Sequence, residues 1–194
     1  ILLGMEEQKA EIEAIINNPE EPTFQNTIVA MDQSGKLLRK VRGTFSPLTS
    51  SNSTEESRAL EKELSPLMSA HSDDINLNEK LFARVKKVYD NRENIKLTPE
   101  EKTVLENIYK RFVNSGAELS EAEKEKLREL NQQLSMLELT FSQNLLHETN
   151  NTFVVANSLE ELKGLPQENI DAAAKMAADN GQPGKWMFNM QRPS

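Results

Sequence analysis

The residues best suited to chemistry in this chain are its two histidines, His71 and His147. His147 opens the segment His147–Asn151 near the end of a predicted long helix. A helical zinc site of a peptidase needs two histidines four residues apart, with a glutamate beside the first as general base. Asn151 stands where the second histidine would be. The segment therefore predicts no zinc site, but a histidine in the last helical turn, favourably placed against the helix dipole.

His71 follows Leu60, Leu64 and Leu67 at helical spacing, so it continues a stripe that we expect to be buried or half-buried. This placement favours a hydrogen-bonded packing residue over a metal ligand. Cysteine is absent, which excludes disulfides and thiolate zinc sites. A zinc site made by this chain alone would need carboxylates brought together by folding, and the sequence gives no sign of one. We predict no catalytic and no metal-binding residue.

Two acidic motifs have simpler interpretations. Asp74–Asn78 resembles the start of a calcium loop, but Glu79 occupies the glycine position and Val85 that of the bidentate glutamate. We expect a turn between two helices there. The charged run Glu121–Lys126 predicts a solvated helix face.

The elements that would position these residues are mainly helical. Apolar residues recur at three- and four-residue steps through Glu148, which predicts a bundle of six helices. The second helix is expected to begin near Thr23 and to carry one apolar seam as far as Leu48. Gly35 lies in this seam, where the missing side chain would let a neighbouring helix approach closely. Ser53, Thr98 and Ser120 are the predicted caps of the third, fifth and sixth helices.

The sixth helix carries the longest apolar seam. Its residues alternate steps of three and four, which is typical of coiled coils: Leu127, Leu130, Leu134, Leu137, Phe141 and Leu145. We expect this seam to pack against the fifth helix as an antiparallel hairpin.

The composition changes after His147. Thr152–Ala156 and Lys185–Met190 predict two short strands, and Pro166–Asn180 predicts a helix between them. The sequence thus predicts a mainly α fold: a helical domain of long antiparallel helices over residues 1–150, then a small α/β segment over residues 151–194. Because two strands alone form a marginal sheet, we expect their partners beyond Ser194.

Composition excludes several classes of function. The chain has 194 residues, with 23 basic and 31 acidic side chains and a formal net charge of −8. An acidic chain without a basic stripe is not expected to bind the phosphate backbone of nucleic acid. No apolar run approaches the roughly 20 residues of a membrane helix. We therefore expect neither nucleic acid nor a membrane as a partner.

Both ends differ from natural termini. The chain begins Ile1-Leu2-Leu3 with no initiator methionine or secretion signal, and residues 191–194 form a turn signal after a predicted strand. We expect a piece of a longer protein, and a trimmed mature protein is the alternative.

Several short segments follow one another in a familiar order. They include Pro22–Thr27, Leu64–Leu67 with His71, Leu81–Val85, Gly116–Leu119, Phe141–Leu145, Leu162–Pro166 and Gly184–Trp186. In this order, across nearly the whole chain, they resemble the amino-terminal region of the thimet oligopeptidase family. These zinc metallopeptidases include oligopeptidase A and peptidyl-dipeptidase (dipeptidyl carboxypeptidase). The sequences of these segments are most similar to the peptidyl-dipeptidase branch.

The resemblance implies a largely helical protein whose two halves flank a deep channel for short peptides. It places the zinc ligands in the later half, so no catalytic or metal residue of the family falls on this chain, and it identifies no substrate-binding residue here. We expect a channel-wall domain of a zinc-dependent oligopeptidase that binds no zinc itself and is inactive alone. The expected compartment is the cytoplasm, or the periplasm if a leader was removed before Ile1.

Two other interpretations remain open from the residues alone. One is a freestanding, non-enzymatic helical domain whose grooves bind partner helices. The other is an autonomous metal enzyme that uses carboxylate ligands.

Overall fold

The computed structural model describes residues 1–51 and 53–190, apart from the side chains at 50, 51 and 150. The turn expected at residues 191–194 lies outside this part of the chain. In order, the elements are α1 (Leu2–Ile16), a π-helical segment (Phe24–Val29), α2 (Ala30–Gln33), α3 (Lys36–Ser51), α4 (Glu55–Asn76), α5 (Glu79–Asp90), α6 (Pro99–Asn114), α7 (Glu121–Asn151), β1 (Phe153–Ala156), a 3₁₀ turn (Leu159–Leu162), α8 (Gln167–Asp179) and β2 (Trp186–Asn189). The predicted mainly α fold with a two-stranded sheet is confirmed.

Side-chain caps start several helices where the sequence predicts them. The Thr98 hydroxyl accepts from the Glu101 amide at 3.2 Å, and the Glu101 carboxylate accepts from the Thr98 amide at 2.8 Å. Ser120 and Glu123 repeat this reciprocal pair at the start of α7. The cap of α4 is Thr54 rather than Ser53, with Ser57 as its partner. These bonds satisfy amides that a helix start would otherwise leave unpaired.

The prediction of a single helix with one apolar seam from Thr23 to Leu48 is wrong. The chain leaves the helical path at Ser34 and Gly35, and Gly35 has a φ of +67° that favours glycine. The π-helical segment with α2, and the separate helix α3, therefore replace one helix. The close approach expected at Gly35 is present, since a Cβ there would lie 2.5 Å from the Gln8 side chain of α1.

A second close approach joins α1 and α3. A Cβ on Gly4 would lie 2.9 Å from the backbone of Leu38, so only glycine fits at this crossing. The sequence analysis did not single out Gly4.

The core of the helical part lies between α5, α6, α1 and the π-helical segment. Its fully buried side chains include Ile28, Leu81, Val85, Leu105 and Phe112. Aromatic rings extend this core, because Tyr89 and Tyr109 stack with centroids 3.9 Å apart. The apolar repeat predicted through Glu148 is therefore confirmed at Leu81 and Val85 of α5 and at Leu105 and Phe112 of α6.

Two other predicted faces are wrong. Leu64 of α4 is half-buried, but Leu60 and Leu67 are exposed, so the leucine stripe before His71 is wrong at two of its three positions. The α7 seam beyond Leu127 is more than half exposed at Leu130, Leu134, Leu137, Phe141 and Leu145, which contradicts its burial against α6. Spacing alone identified amphipathic helices, but it could not show whether a partner covers each face.

The charged run at the start of α7 is also not wholly solvated. Lys124 is fully buried, and its ammonium lies 3.0 Å from Glu121 and 3.2 Å from Glu79 of α5. Burial alone would lower the pKa of Lys124, but the two carboxylates outweigh it and raise that pKa. Lys124 thus joins α7 to α5.

Contacts along the chain define two compact units, residues 1–139 and 140–194. In the second unit, β1 and β2 pair antiparallel with Val154 opposite Phe188. Ala173 and Ala177 of α8 are buried, as is Met187 of β2. The predicted strands and the helix between them are confirmed.

Candidate functional site

Two adjoining pockets lie along one face of α4 in the first unit. The first, of about 400 Å³, is lined by residues of α1, α3, α4 and α6, and the second, of about 380 Å³, by residues of α3, α4 and α7. Arg42, Met68 and Ser72 line both pockets. We call the combined surface the α4 groove.

The α4 groove is long enough for a short peptide. Its α4 residues run from Ser65 to Asn76, which is about 16 Å at ~1.5 Å per helical residue. An extended peptide advances ~3.3 Å per residue, so about five residues fit this length.

A directed chain of hydrogen bonds begins at His71 and Gln8, which both line the first pocket. The Nε2 of His71 lies 2.9 Å from Oε1 of Gln8, and the Gln8 amide donates to the Ser34 hydroxyl at 3.4 Å. The Ser34 hydroxyl in turn donates to the carbonyl of Met31 at 2.8 Å. Because an amide oxygen can only accept, His71 carries its proton on Nε2 and leaves Nδ1 as an acceptor. The predicted half-buried, hydrogen-bonded His71 is confirmed.

The surroundings of His71 favour its neutral form. Burial lowers the pKa of His71 below its ordinary value, Lys9 and Arg42 lower it further, and Asp74 opposes them. His71 therefore adds less positive charge to the pocket near pH 7 than an exposed histidine would.

Positive charge in the first pocket comes from arginines. Of the eleven residues that line it, Arg39, Arg42 and Arg111 are arginines and none is Asp or Glu. Arg39 is anchored, since its guanidinium donates to the carbonyls of Ser34 and Asp32. Within the described residues, neither Arg42 nor Arg111 forms an ion pair with a carboxylate.

The second pocket has the opposite character. Asp73 is buried and accepts a 2.8 Å hydrogen bond from the amide of Asn131 on α7. Burial raises the pKa of Asp73, while this hydrogen bond and the charge of Arg128 oppose the shift. Glu138 lines the same pocket and is exposed.

A larger pocket, of about 470 Å³, lies between the π-helical segment, α5 and the loop before α6. Two of its lining charges, Lys87 and Glu21, pair with each other. Its lining offers no free pair of groups comparable to the arginines of the α4 groove, so we regard the groove as the better candidate.

His147 lies in the last turn of α7, as predicted. The amide of Asn151 donates to the His147 carbonyl at 2.8 Å and lies 3.1 Å from its Nδ1. The residue at the second-histidine position therefore binds the imidazole itself, and the segment does not fit a zinc ion. In the part of the chain that the structure describes, no three His, Asp or Glu side chains come together as metal ligands.

The remaining motif forms the expected turn. α4 ends at Asn76, and Asn78 caps α5 by accepting from the Leu81 amide at 3.0 Å. Asp74 is instead paired with Lys9 at 3.3 Å and lies 3.5 Å from Arg128.

The sequence analysis missed the arginines of the groove. The only local signal is the three-residue spacing of Arg39 and Arg42, which places both on one face of α3. Arg111 comes from α6, far away in the sequence, so only folding shows that the three line one pocket.

Among the described residues, no helix combines the length and apolar character needed to cross a bilayer.

Comparison with known proteins tests the resemblance. No protein-family model matches the chain. It is 38% identical over 185 residues to dipeptidyl carboxypeptidase of Escherichia coli K12, which covers 95% of this chain and 27% of that protein. Dipeptidyl carboxypeptidase of Salmonella typhimurium is 36% identical over the same share of each chain, and oligopeptidase A of Haemophilus influenzae is 27% identical over 94% of this chain.

The chain spans about a quarter of the length of these curated relatives. The matches extend over nearly the whole of this chain. The matching proteins are the dipeptidyl carboxypeptidases and oligopeptidase A that the motifs of the sequence resemble. The resemblance to the family of dipeptidyl carboxypeptidase and oligopeptidase A is therefore confirmed over 95% of the chain.

Proposed function

We propose that this chain is the amino-terminal, channel-wall part of a zinc-dependent oligopeptidase of the dipeptidyl carboxypeptidase type, which hydrolyses short peptides. The observation that carries the proposal is the 38% identity with a dipeptidyl carboxypeptidase over 95% of the chain. In this proposal residues 1–150 are the helical domain, and residues 151–194 lead into the catalytic part. The cytoplasm is the proposed compartment, with the periplasm as the alternative.

The proposed zinc ligands lie elsewhere in the parent protein. The His147–Asn151 segment does not fit zinc, because Asn151 replaces a ligand and hydrogen-bonds to the remaining histidine. The role of this chain is therefore to bind and orient peptide, not to activate water.

The α4 groove supplies the surface for that role. Its second pocket combines serine hydroxyls, such as those of Ser69 and Ser72, with the apolar side chains of Met68 and Leu134. Hydroxyls can pair with an extended peptide backbone, and apolar side chains tolerate varied substrate residues. A shallow polar and apolar groove of this kind suits short peptides of mixed sequence.

The test is to express the whole reading frame and assay it with short peptides that have free or blocked ends. We expect peptide hydrolysis that a chelator abolishes, and no hydrolysis or stoichiometric zinc in the isolated 194-residue chain. Chelator-sensitive cleavage by the isolated chain would refute the assigned role, and an inactive full-length product would refute the peptidase itself.

A freestanding interaction domain is the second candidate. The exposed apolar seam of α7 favours it, because such a seam can receive a partner helix. The downstream coding sequence discriminates the two: a His-Glu-x-x-His segment supports the peptidase, and a stop codon soon after Ser194 supports the interaction domain.

A further inference from the structure

We propose that the first pocket of the α4 groove binds a carboxylate of a peptide, with Arg42 as its principal contact. This inference rests on the proposed function, since it assigns a substrate-binding position to the same groove. The ligand class is an extended peptide of about five residues that carries a terminal or side-chain carboxylate.

The charge of the pocket differs from that of the chain. The chain has a formal net charge of −8, yet this pocket is lined by three arginines and no acidic residue. A local concentration of positive charge in a negative protein selects anions, since the rest of the surface repels them.

Arg42 is the arginine best placed to meet a ligand. It lines both pockets, it is exposed, and among the described residues no carboxylate pairs with it. A guanidinium offers two parallel N–H groups that match both oxygens of a carboxylate. Arg39 is already tied to two backbone carbonyls, so it supports the charge of the pocket more than it contacts the ligand.

The neighbouring charges leave this positive field in place. Burial lowers the pKa of His71, which favours its neutral form, and its Nε2 is engaged by Gln8. Asp74, the carboxylate that acts on His71, is itself paired with Lys9 and Arg128. The carboxylates of the groove, Asp73 and Glu138, line only the second pocket.

This distribution also determines which end of the groove takes the carboxylate. A carboxylate at Arg42 is attracted by the first pocket, whereas Glu138 would repel one placed at the far end of the second. The remainder of the peptide then lies along Met68, Ser69 and Leu134.

The experiment measures binding of four acetylated pentapeptides to the isotope-labelled 194-residue chain by NMR titration. One has a free terminal carboxylate, one is its neutral amide, one is an amide with a single internal Glu, and the last replaces that Glu with Gln. Variants are Arg42→Gln, Arg42→Lys and the matched control Lys126→Gln, which removes an exposed charge outside both pockets.

We expect the carboxylate peptides to bind at least about tenfold more tightly than their neutral counterparts. Arg42→Gln should remove this preference and leave the affinity for the neutral amide unchanged. Arg42→Lys should retain part of the preference, and Lys126→Gln all of it. Comparison of the terminal-carboxylate and Glu peptides identifies the source of the carboxylate. Melting temperatures within about 2 °C of the wild type confirm that the variants fold.

Three results would overturn the inference: no peptide binding, equal affinity for acidic and neutral peptides, or equal losses in Arg42→Gln and Lys126→Gln. Displacement of the peptides by inorganic phosphate at matching concentration would reduce the site to a general anion patch, which also refutes it. The readout is independent of hydrolysis. A full-length protein that lacks peptidase activity but shows Arg42-dependent binding would reject only the proposed function. A full-length protein that is active but shows no Arg42-dependent binding would reject only this site.

Discussion

At the scale of single residues, Lys124 shows how a charge can be buried without a buried partner. Its side chain is only 1% exposed, but those of Glu79 and Glu121 are 68% and 69% exposed. The carboxylates therefore stay largely hydrated, and only the lysine pays a desolvation cost. Its four-carbon stem is buried with the charge, so volume and charge both contribute.

Substitution of Lys124 separates these contributions. We expect Lys124→Ala to lower the free energy of unfolding by about 2 kcal/mol, because it removes both the stem and the ion pairs. Lys124→Met should recover most of this loss, since it restores the volume and leaves the two glutamates solvated. Urea unfolding followed by circular dichroism measures both, with exposed Lys126→Ala as the control. Equal losses in the Met and Ala variants would show that the charge dominates.

His71 makes stability depend on pH in a defined direction. Folding lowers the pKa of His71, mainly through burial. In the unfolded chain the pKa of this histidine is near 6.5, so the folded chain keeps it neutral to a lower pH. Between the lowered folded pKa and 6.5 the unfolded chain binds more protons, so the free energy of unfolding falls as pH drops below 6.5. The groups that act on His71 are Asp74, Lys9 and Arg42.

We therefore expect His71→Gln to make the decline in melting temperature from pH 7.5 to pH 5.5 shallower than in the wild type. A glutamine can still donate to Gln8, so the hydrogen-bond chain is retained while the titrating group is removed. Parallel pH profiles for the two proteins would contradict the pKa shift. The raised pKa of Asp73 also makes stability depend on pH, but it is present in the wild type and in His71→Gln and so cancels when the two profiles are compared.

At the scale of elements, local sequence signals such as helix caps predicted where helices begin. They did not predict which apolar helix faces are covered by a neighbouring helix. Thr98 and Ser120 cap α6 and α7 because cap bonds form within four residues of the chain. The exposed seam of α7 and the exposed leucines of α4 depend on which neighbour lies opposite, and periodicity carries no such information. The break at Gly35 depends on a left-handed φ that the apolar spacing concealed.

The crossing of α1 and α3 offers a matched pair of glycines. Gly4→Ala should lower the free energy of unfolding by about 1–3 kcal/mol, because its Cβ would meet the Leu38 backbone at 2.9 Å and force the helices apart. Gly43→Ala lies in α3 with nothing within 4 Å. It should raise the free energy of unfolding by about 0.5–1 kcal/mol through helix propensity alone. Chemical denaturation measures both, and a stabilising Gly4→Ala would disprove the tight crossing.

At the scale of the whole molecule, the sequence predicted the fold class and the family, and missed the site. Many short matches in one order suffice to recognise relatives, whereas the α4 groove combines residues from five helices, from Gln8 in α1 to Asn131 in α7. The arginine character of its first pocket could not be derived from a chain whose overall charge has the opposite sign. Placement by folding, and not residue type, creates that pocket.

The positions of the aromatic residues give each unit its own optical reporter. Both tyrosines of the chain, Tyr89 and Tyr109, stack face to face in the first unit, and its one tryptophan, Trp186, lies in the second. Coupled tyrosine rings contribute to near-ultraviolet circular dichroism, whereas indole emission excited at long wavelength comes from Trp186 alone. Denaturation of the two units can thus be recorded separately in one unlabelled sample, and non-coincident curves would reveal that they melt independently.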